Sequence, residues 1–169
     1  GLENVIWKRM IAGLNSPFGL TYADGKLYVG DKAELIALHD LNGDDEFDFV
    51  ERTNQGFETA HRNVHAGAPR DSEGAFYYIT SRGVKKLYDD KFEHLSPSSR
   101  TAMAIGVTHG DQIWSAPQEG GWTPASMIFE HHEGDDVYRP NEREHKTIDE
   151  IAKVLDPALA YIPRGIDNS

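Results

Sequence analysis

The stretch Phe18-Gly19-Leu20-Thr21-Tyr22-Ala23-Asp24-Gly25-Lys26-Leu27-Tyr28-Val29-Gly30 decides the fold. Gly19 to Ala23 reads as a strand and Lys26 to Gly30 as its return. Between them stands Asp24-Gly25, a hairpin dipeptide. The two-residue turn that suits twisted antiparallel strands needs positive φ at both central positions, and Asp and Gly tolerate it best. Glu34 to His39 predicts a third strand and Phe47 to Thr53 a fourth. Four short strands joined by tight turns make one up-and-down sheet.

The pattern returns downstream. Ala66 to Arg70, the turn Asp71-Ser72-Glu73-Gly74, and Ala75 to Thr80 form a second hairpin. Val84 to Tyr88 and Phe92 to Leu95 follow as outer strands, with Asp89-Asp90-Lys91 between them. A third copy starts at Ala104 to Thr108, turns at His109-Gly110-Asp111 and returns as Gln112 to Ala116. Gly19, Gly67 and Gly106 hold the same place in each copy, 48 and 39 residues apart. That is the period of a propeller blade, about 40–50 residues, rather than of strands in a sandwich, about 8–12. The plainer alternative is a meander with recurring hairpins. The expected fold is all-β: a β-propeller fragment of about three blades, over roughly 13–56, 61–97 and 99–132, in one partial domain across 1–169. One stretch breaks the pattern. Thr147 and Glu150 have capping-box spacing, and Ile148, Ile151, Ala152 and Leu155 share one helical face before Asp156-Pro157. These residues predict a short helix in an insert over 139–157.

Lysine plus arginine is 17 and aspartate plus glutamate is 28, so the net charge is −11. A phosphate backbone or an anionic membrane surface needs a basic face, so nucleic acid is excluded as a partner. No apolar run approaches the roughly 18–20 residues of a membrane span. The sequence has no cysteine, which removes disulfides, thiolate metal sites and a cysteine nucleophile. Exposed blade edges of a partial ring predict self-association, because unpaired strands pair with other copies.

The sharpest chemical signal runs from Asp40 to Glu51. Asp40, Asn42, Asp44, Glu46, Asp48 and Glu51 put side-chain oxygens at loop positions 1, 3, 5, 7, 9 and 12. A calcium ion takes about six to eight hard oxygen ligands, and an acidic loop of this length can wrap one. Asp40, Asn42 and Asp44 are the first ligands to expect. The match departs at position 6, where Asp45 stands in place of the turn-permitting glycine. The flanks read as strands rather than helices, and a polar hairpin tip that binds nothing is the alternative. A second signal is His61-Arg62-Asn63-Val64-His65-Ala66-Gly67, just before the inner strand of the second repeat, where a histidine could take a proton near neutral pH. The competing reading is two loop histidines. A third is Trp114 to Ser126, a rigid loop with Gln118 and Trp122, suited to a sugar ring or to packing between blades. His131-His132-Glu133 reads as a solvated strand edge.

Three ordered segments carry a family resemblance. Gly13 to Leu20 with Gly25 to Val29 and the Asp40–Asp45 loop, then Gln118 to Ser126, then Pro163 to Ser169, together resemble the soluble quinoprotein glucose and sorbosone dehydrogenases. The closer likeness is to exported bacterial proteins with a membrane-bound dehydrogenase domain, often joined to a c-type haem domain. The resemblance implies a six-bladed propeller, of which this chain would be about half, and a periplasmic or secreted location. It also implies oxidation of a carbohydrate or similar alcohol with pyrroloquinoline quinone (PQQ), and electrons passing to a haem domain of the parent protein. His65 is the nearest match to the family's proton-abstracting histidine, though one residue out of spacing from Gly67. His61, Arg62 and Arg164 would orient polar groups, with Gln118 and Trp122 at the mouth. A carbohydrate-binding or scaffolding propeller without chemistry, stabilised by calcium, is the alternative.

Overall fold

A computed structural model of the chain describes residues 5–32, 34–53, 67–80, 83–89, 91–96, 102–117, 125–135 and 158–163. Among these residues there are strands and turns and no helix. The first sheet holds β1 (Gly19–Ala23), β2 (Lys26–Gly30), β3 (Leu35–His39) and β4 (Phe49–Arg52), in that order and antiparallel throughout. Its first hairpin forms as the dipeptide demands: Ala23 faces Lys26, with φ of 51° at Asp24 and 75° at Gly25.

The second sheet holds β5 (Phe76–Thr80), β6 (Gly83–Tyr88) and β7 (Lys91–His94), again in chain order. Residues 67–70 run beside β5 as a rudimentary fourth strand, through an Arg70–Phe76 bridge and a Tyr77 N–H bond to the Pro69 carbonyl at 2.9 Å. The third sheet holds β8 (Ala102–Val107), β9 (Ile113–Pro117), β10 (Ala125–His131) and β11 (Ala160–Pro163), in the order β11-β10-β9-β8. The sequence reading closed this repeat at 132. Instead β11 pairs with the first half of β10, from Ala125 opposite Pro163 to Ile128 opposite Ala160. A four-residue strand ending in proline carries too little pattern to be read alone. The helix predicted within 139–157 lies outside the described residues.

The sheets pack in series because their strands are apolar on both sides. Alternate residues point to opposite faces of a strand. Leu35, Ala68, Tyr78 and Leu87, with Tyr28, Phe76 and Phe92, form the cluster between the first and second sheets. Ala75, Tyr77, Ile79, Val84 and Ile113, with Leu95, Ile105 and Val107, form the one between the second and third. Ile79 and Val84 in the middle sheet are fully buried. Each such side chain contributes about 1.5–3 kcal/mol by leaving water. The far face of the first sheet, Val29, Ile36 and Leu38, is covered by Ile11, Leu14 and Phe47.

The inner edges of the sheets meet at glycines. A Cβ on Gly19 or on Gly30 would collide with the Gly67 backbone, and one on Gly67 with the Ile105 side chain. The hairpin tips are tied in sequence too. Arg70 Nη1 lies 2.7 Å from Asp24 Oδ2, and the Thr21 hydroxyl donates to the Ala68 carbonyl at 2.5 Å. The Ser72 N–H and hydroxyl donate to the two oxygens of Asp111 at 2.8 and 2.5 Å. Among the described residues no helix is long and apolar enough to cross a membrane.

Candidate functional site

The acidic loop joins β3 to β4 and is exposed from Asp40 to Glu46. Its side chains close on its own backbone. Asp40 accepts from the N–H groups of Gly43 and Asp45 at 2.6 and 2.9 Å. Asn42 and Asp44 accept from the N–H two residues on, both at 2.9 Å. Asp48 accepts from the Leu41 N–H at 2.9 Å. Asp45 takes a left-handed backbone, with φ of 63°, so it fills the position where a glycine was missed. Aspartate tolerates that region better than most residues. Desolvation works to raise the Asp40 pKa, but the loop N–H groups outweigh it and hold the carboxyl below its ordinary range.

Two cationic groups act on the same acidic residues. The Lys8 ammonium donates to the Asp44 carbonyl and lies 3.7 Å from the Glu46 carboxylate. Glu51 belongs to β4 rather than to the loop. Its carboxylate bonds His39 Nε2 at 2.7 Å and lies 3.5 Å from Lys26. The His39 hydrogen bond, then Lys26, holds the Glu51 pKa down. The side chains of Asp40, Asn42, Asp44 and Asp48 are thus turned onto the loop's own backbone, and Glu51 is set apart. Among the described residues no three histidine or carboxylate groups converge where a metal could sit. The donor chemistry suits a hard cation, but these oxygens are already bonded to loop amides. A calcium ion would use the second lone pairs of Asp40, Asn42 and Asp44.

His61, Arg62, His65, Gln118, Trp122 and Arg164 all lie outside the described residues. The described residues offer a different concavity, a cleft of about 470 Å³ between the first and second sheets. Tyr28, Leu35, Phe76 and Leu87 form its floor, and Arg70, Glu73, Tyr88 and Asp89 line it above. The Tyr28 and Phe76 rings are tilted with centroids 4.7 Å apart, and Arg70 lies over Phe76 at 5.4 Å. Arg70 is fixed from both ends: Asp24 holds Nη1, and Nε donates to the Gly74 carbonyl at 3.1 Å. Tyr88 is half exposed, at 50 %. The cleft thus combines aromatic faces, one pinned guanidinium and rim carboxylates. Sequence periodicity missed it, because its residues come from two repeats. A lone Arg70 among the acidic tips Asp24, Asp71, Glu73 and Asp89 is the signal that could have flagged it.

Two buried polar groups stand elsewhere. Asp71 accepts from the Tyr77 hydroxyl and the Ala75 N–H, both at 2.7 Å, with Lys86 at 3.4 Å. Burial, then the Asp71 bond, pushes the Tyr77 pKa up to about 12. His131 ends β10 buried, with Nε2 2.5 Å from the Ser115 hydroxyl. Burial pushes its pKa down to about 4, so it is neutral at physiological pH. The solvated-edge reading fits His132, whose side chain is 70 % exposed, and fails for His131, which the strand alternation turns inward. Ser115 and His131 are both sealed from solvent, which makes the pair a core contact rather than a nucleophilic dyad.

No protein-family model matches the chain, and no curated protein matches it. Among the described residues the class is all-β, with three antiparallel sheets of three or four strands.

Proposed function

We propose that the chain contributes blades to a β-propeller of the sugar dehydrogenase-like kind, and that its described part binds carbohydrate. The observation that carries the binding reading is the cleft between the first two sheets, where aromatic rings and fixed polar groups share one concave surface. Sugar rings need that pairing: C–H faces stack on aromatic rings while hydroxyls bond a few positioned polar groups. The succession of up-and-down antiparallel sheets, with Gly19 of the first against the Gly67 backbone beside the second, supports the propeller.

Calcium at Asp40, Asn42 and Asp44 would brace the β3–β4 tip without entering the cleft. PQQ would supply a hydride acceptor. Its carboxylates do not fit the cleft, where Arg70 is the one cation among the described lining residues and stands beside Asp24, Glu73 and Asp89. Oxidation would fall to His65, with His61, Arg62, Gln118, Trp122 and Arg164, on the ground of the family resemblance alone, since all six lie outside the described residues.

Titration of the isotope-labelled chain with glucose, followed by amide NMR, tests the binding reading. Shifts concentrated at Tyr28, Phe76 and Tyr88, with affinity weakened about tenfold by Tyr28→Leu, are expected for loss of one stacking face. Shifts scattered over the surface, or none, would remove it.

A further inference from the structure

We propose that this cleft discriminates sugars by charge, accepting neutral and amino-bearing rings and rejecting acidic ones. The inference rests on the carbohydrate-binding reading and concerns the same site. Its ground is the balance of charge around the lining. The single guanidinium is already matched, because Asp24 Oδ2 sits 2.7 Å from Arg70 Nη1. Glu73 and Asp89 then stand at the rim, both exposed. The one cation among the described lining residues is Arg70, and its ion pair is with Asp24 rather than with either of them.

Lys91, exposed and across the ladder from Tyr88, is the nearest basic residue outside the lining, and four others are committed elsewhere. Lys86 is bound to Asp71 on the opposite face of the second sheet, and Lys26 to Glu51. Arg52 is paired with Glu34. Lys85 is buried with its ammonium 5.8 Å from the Tyr78 ring centre. The chain as a whole carries a net charge of −11, which adds a long-range field of the same sign. A carboxylate brought into the cleft would meet two acidic groups and only a neutralised arginine. An ammonium in the same place would meet both acids favourably. The Tyr28–Phe76 pair would stack on the ring itself whatever its charge, so the rim sets the ranking and the aromatics set the baseline.

Glucosamine and glucuronate each differ from glucose at one carbon, an amine at C2 and a carboxylate at C6, and the three make the probes. The whole chain is titrated with each at low salt and slightly below neutral pH, reading the Tyr88 and Asp89 amides. The expected order is glucosamine, then glucose, then glucuronate, with steps of about fivefold, the size of a partly exposed charge contact. The steps should shrink in high salt, where such contacts are screened. The double substitution Glu73→Gln, Asp89→Asn should collapse the ranking of glucosamine over glucuronate. Equal affinities, or glucuronate binding tightest, would overturn the selectivity and leave sugar binding standing. Failure of all three sugars to bind would remove the carbohydrate reading itself, and the selectivity with it.

Discussion

The two faces of the middle sheet solve opposite problems. Against the first sheet it leaves an open cleft, with aromatic rings at the floor and charged groups at the rim. Against the third it is closed: Tyr77, Ile79, Val84 and Ile113 pack into one cluster, with Tyr77 bonded to Asp71 and Ser115 to His131, whose Nδ1 is left without a partner among the described residues. Both faces come from the same β-strand, β5, whose even-numbered residues turn one way and odd-numbered residues the other. The lesson is that alternation supplies apolar surface to both sides, and the neighbours decide whether that surface is sealed or left as a site. Where Gly67 lets the inner edges touch, the sheets still diverge outward on the first side, and Arg70 fills only part of the gap.

The strongest way to break this comparison is at the glycines. Gly19→Ala and Gly67→Ala each place a methyl against a close neighbour, and the Gly67 backbone is also left-handed, with φ of 108°. Each should cost about 3–5 kcal/mol in urea unfolding. Gly106→Ala is the control: Gly106 lies in β8 and meets nothing within 4 Å, so the change should alter stability by no more than about 1 kcal/mol. Equal losses at all three positions would mean the edges are not arranged as described.

The sealed side should answer to acid. His131 titrates at about 4 when folded and at an ordinary 6.5 when not. The unfolded chain therefore takes up the proton first, and stability is full above 6.5 and falls as pH drops toward 4. The loss should approach about 3 kcal/mol at the acid end. His131→Asn should flatten that window, and unfolding midpoints measured across it decide the matter. Ser115→Ala, which strands the buried Nε2, should cost about 1–3 kcal/mol at neutral pH.

The smallest effect is expected at the acidic loop. Lys8 competes with any cation there through the Asp44 carbonyl and Glu46. Lys8→Ala should strengthen calcium binding a few-fold in calorimetry, about the size of one exposed charge contact, and Asp44→Ala should weaken it. Calcium affinity indifferent to both substitutions would place the ion elsewhere.

Much of the scaffold was legible in the chain. The Asp24-Gly25 turn, the strands either side of it and the hairpin at Asp71 to Gly74 follow from local rules, because turn geometry and strand alternation act over a few residues. The acidic loop was legible as a loop for the same reason, down to the need for a left-handed residue at Asp45. Its ligand set was not, since the His39–Glu51 contact forms only when β3 and β4 pair.

By itself, then, the sequence determined the all-β class of the described residues and their hairpins. Only the tertiary structure decided that β11 completes the third sheet, that His131 faces inward, and that Arg70 is shared between two repeats over a cleft. Those outcomes depend on which surfaces meet, and contacts between residues far apart in the chain leave no local pattern to read.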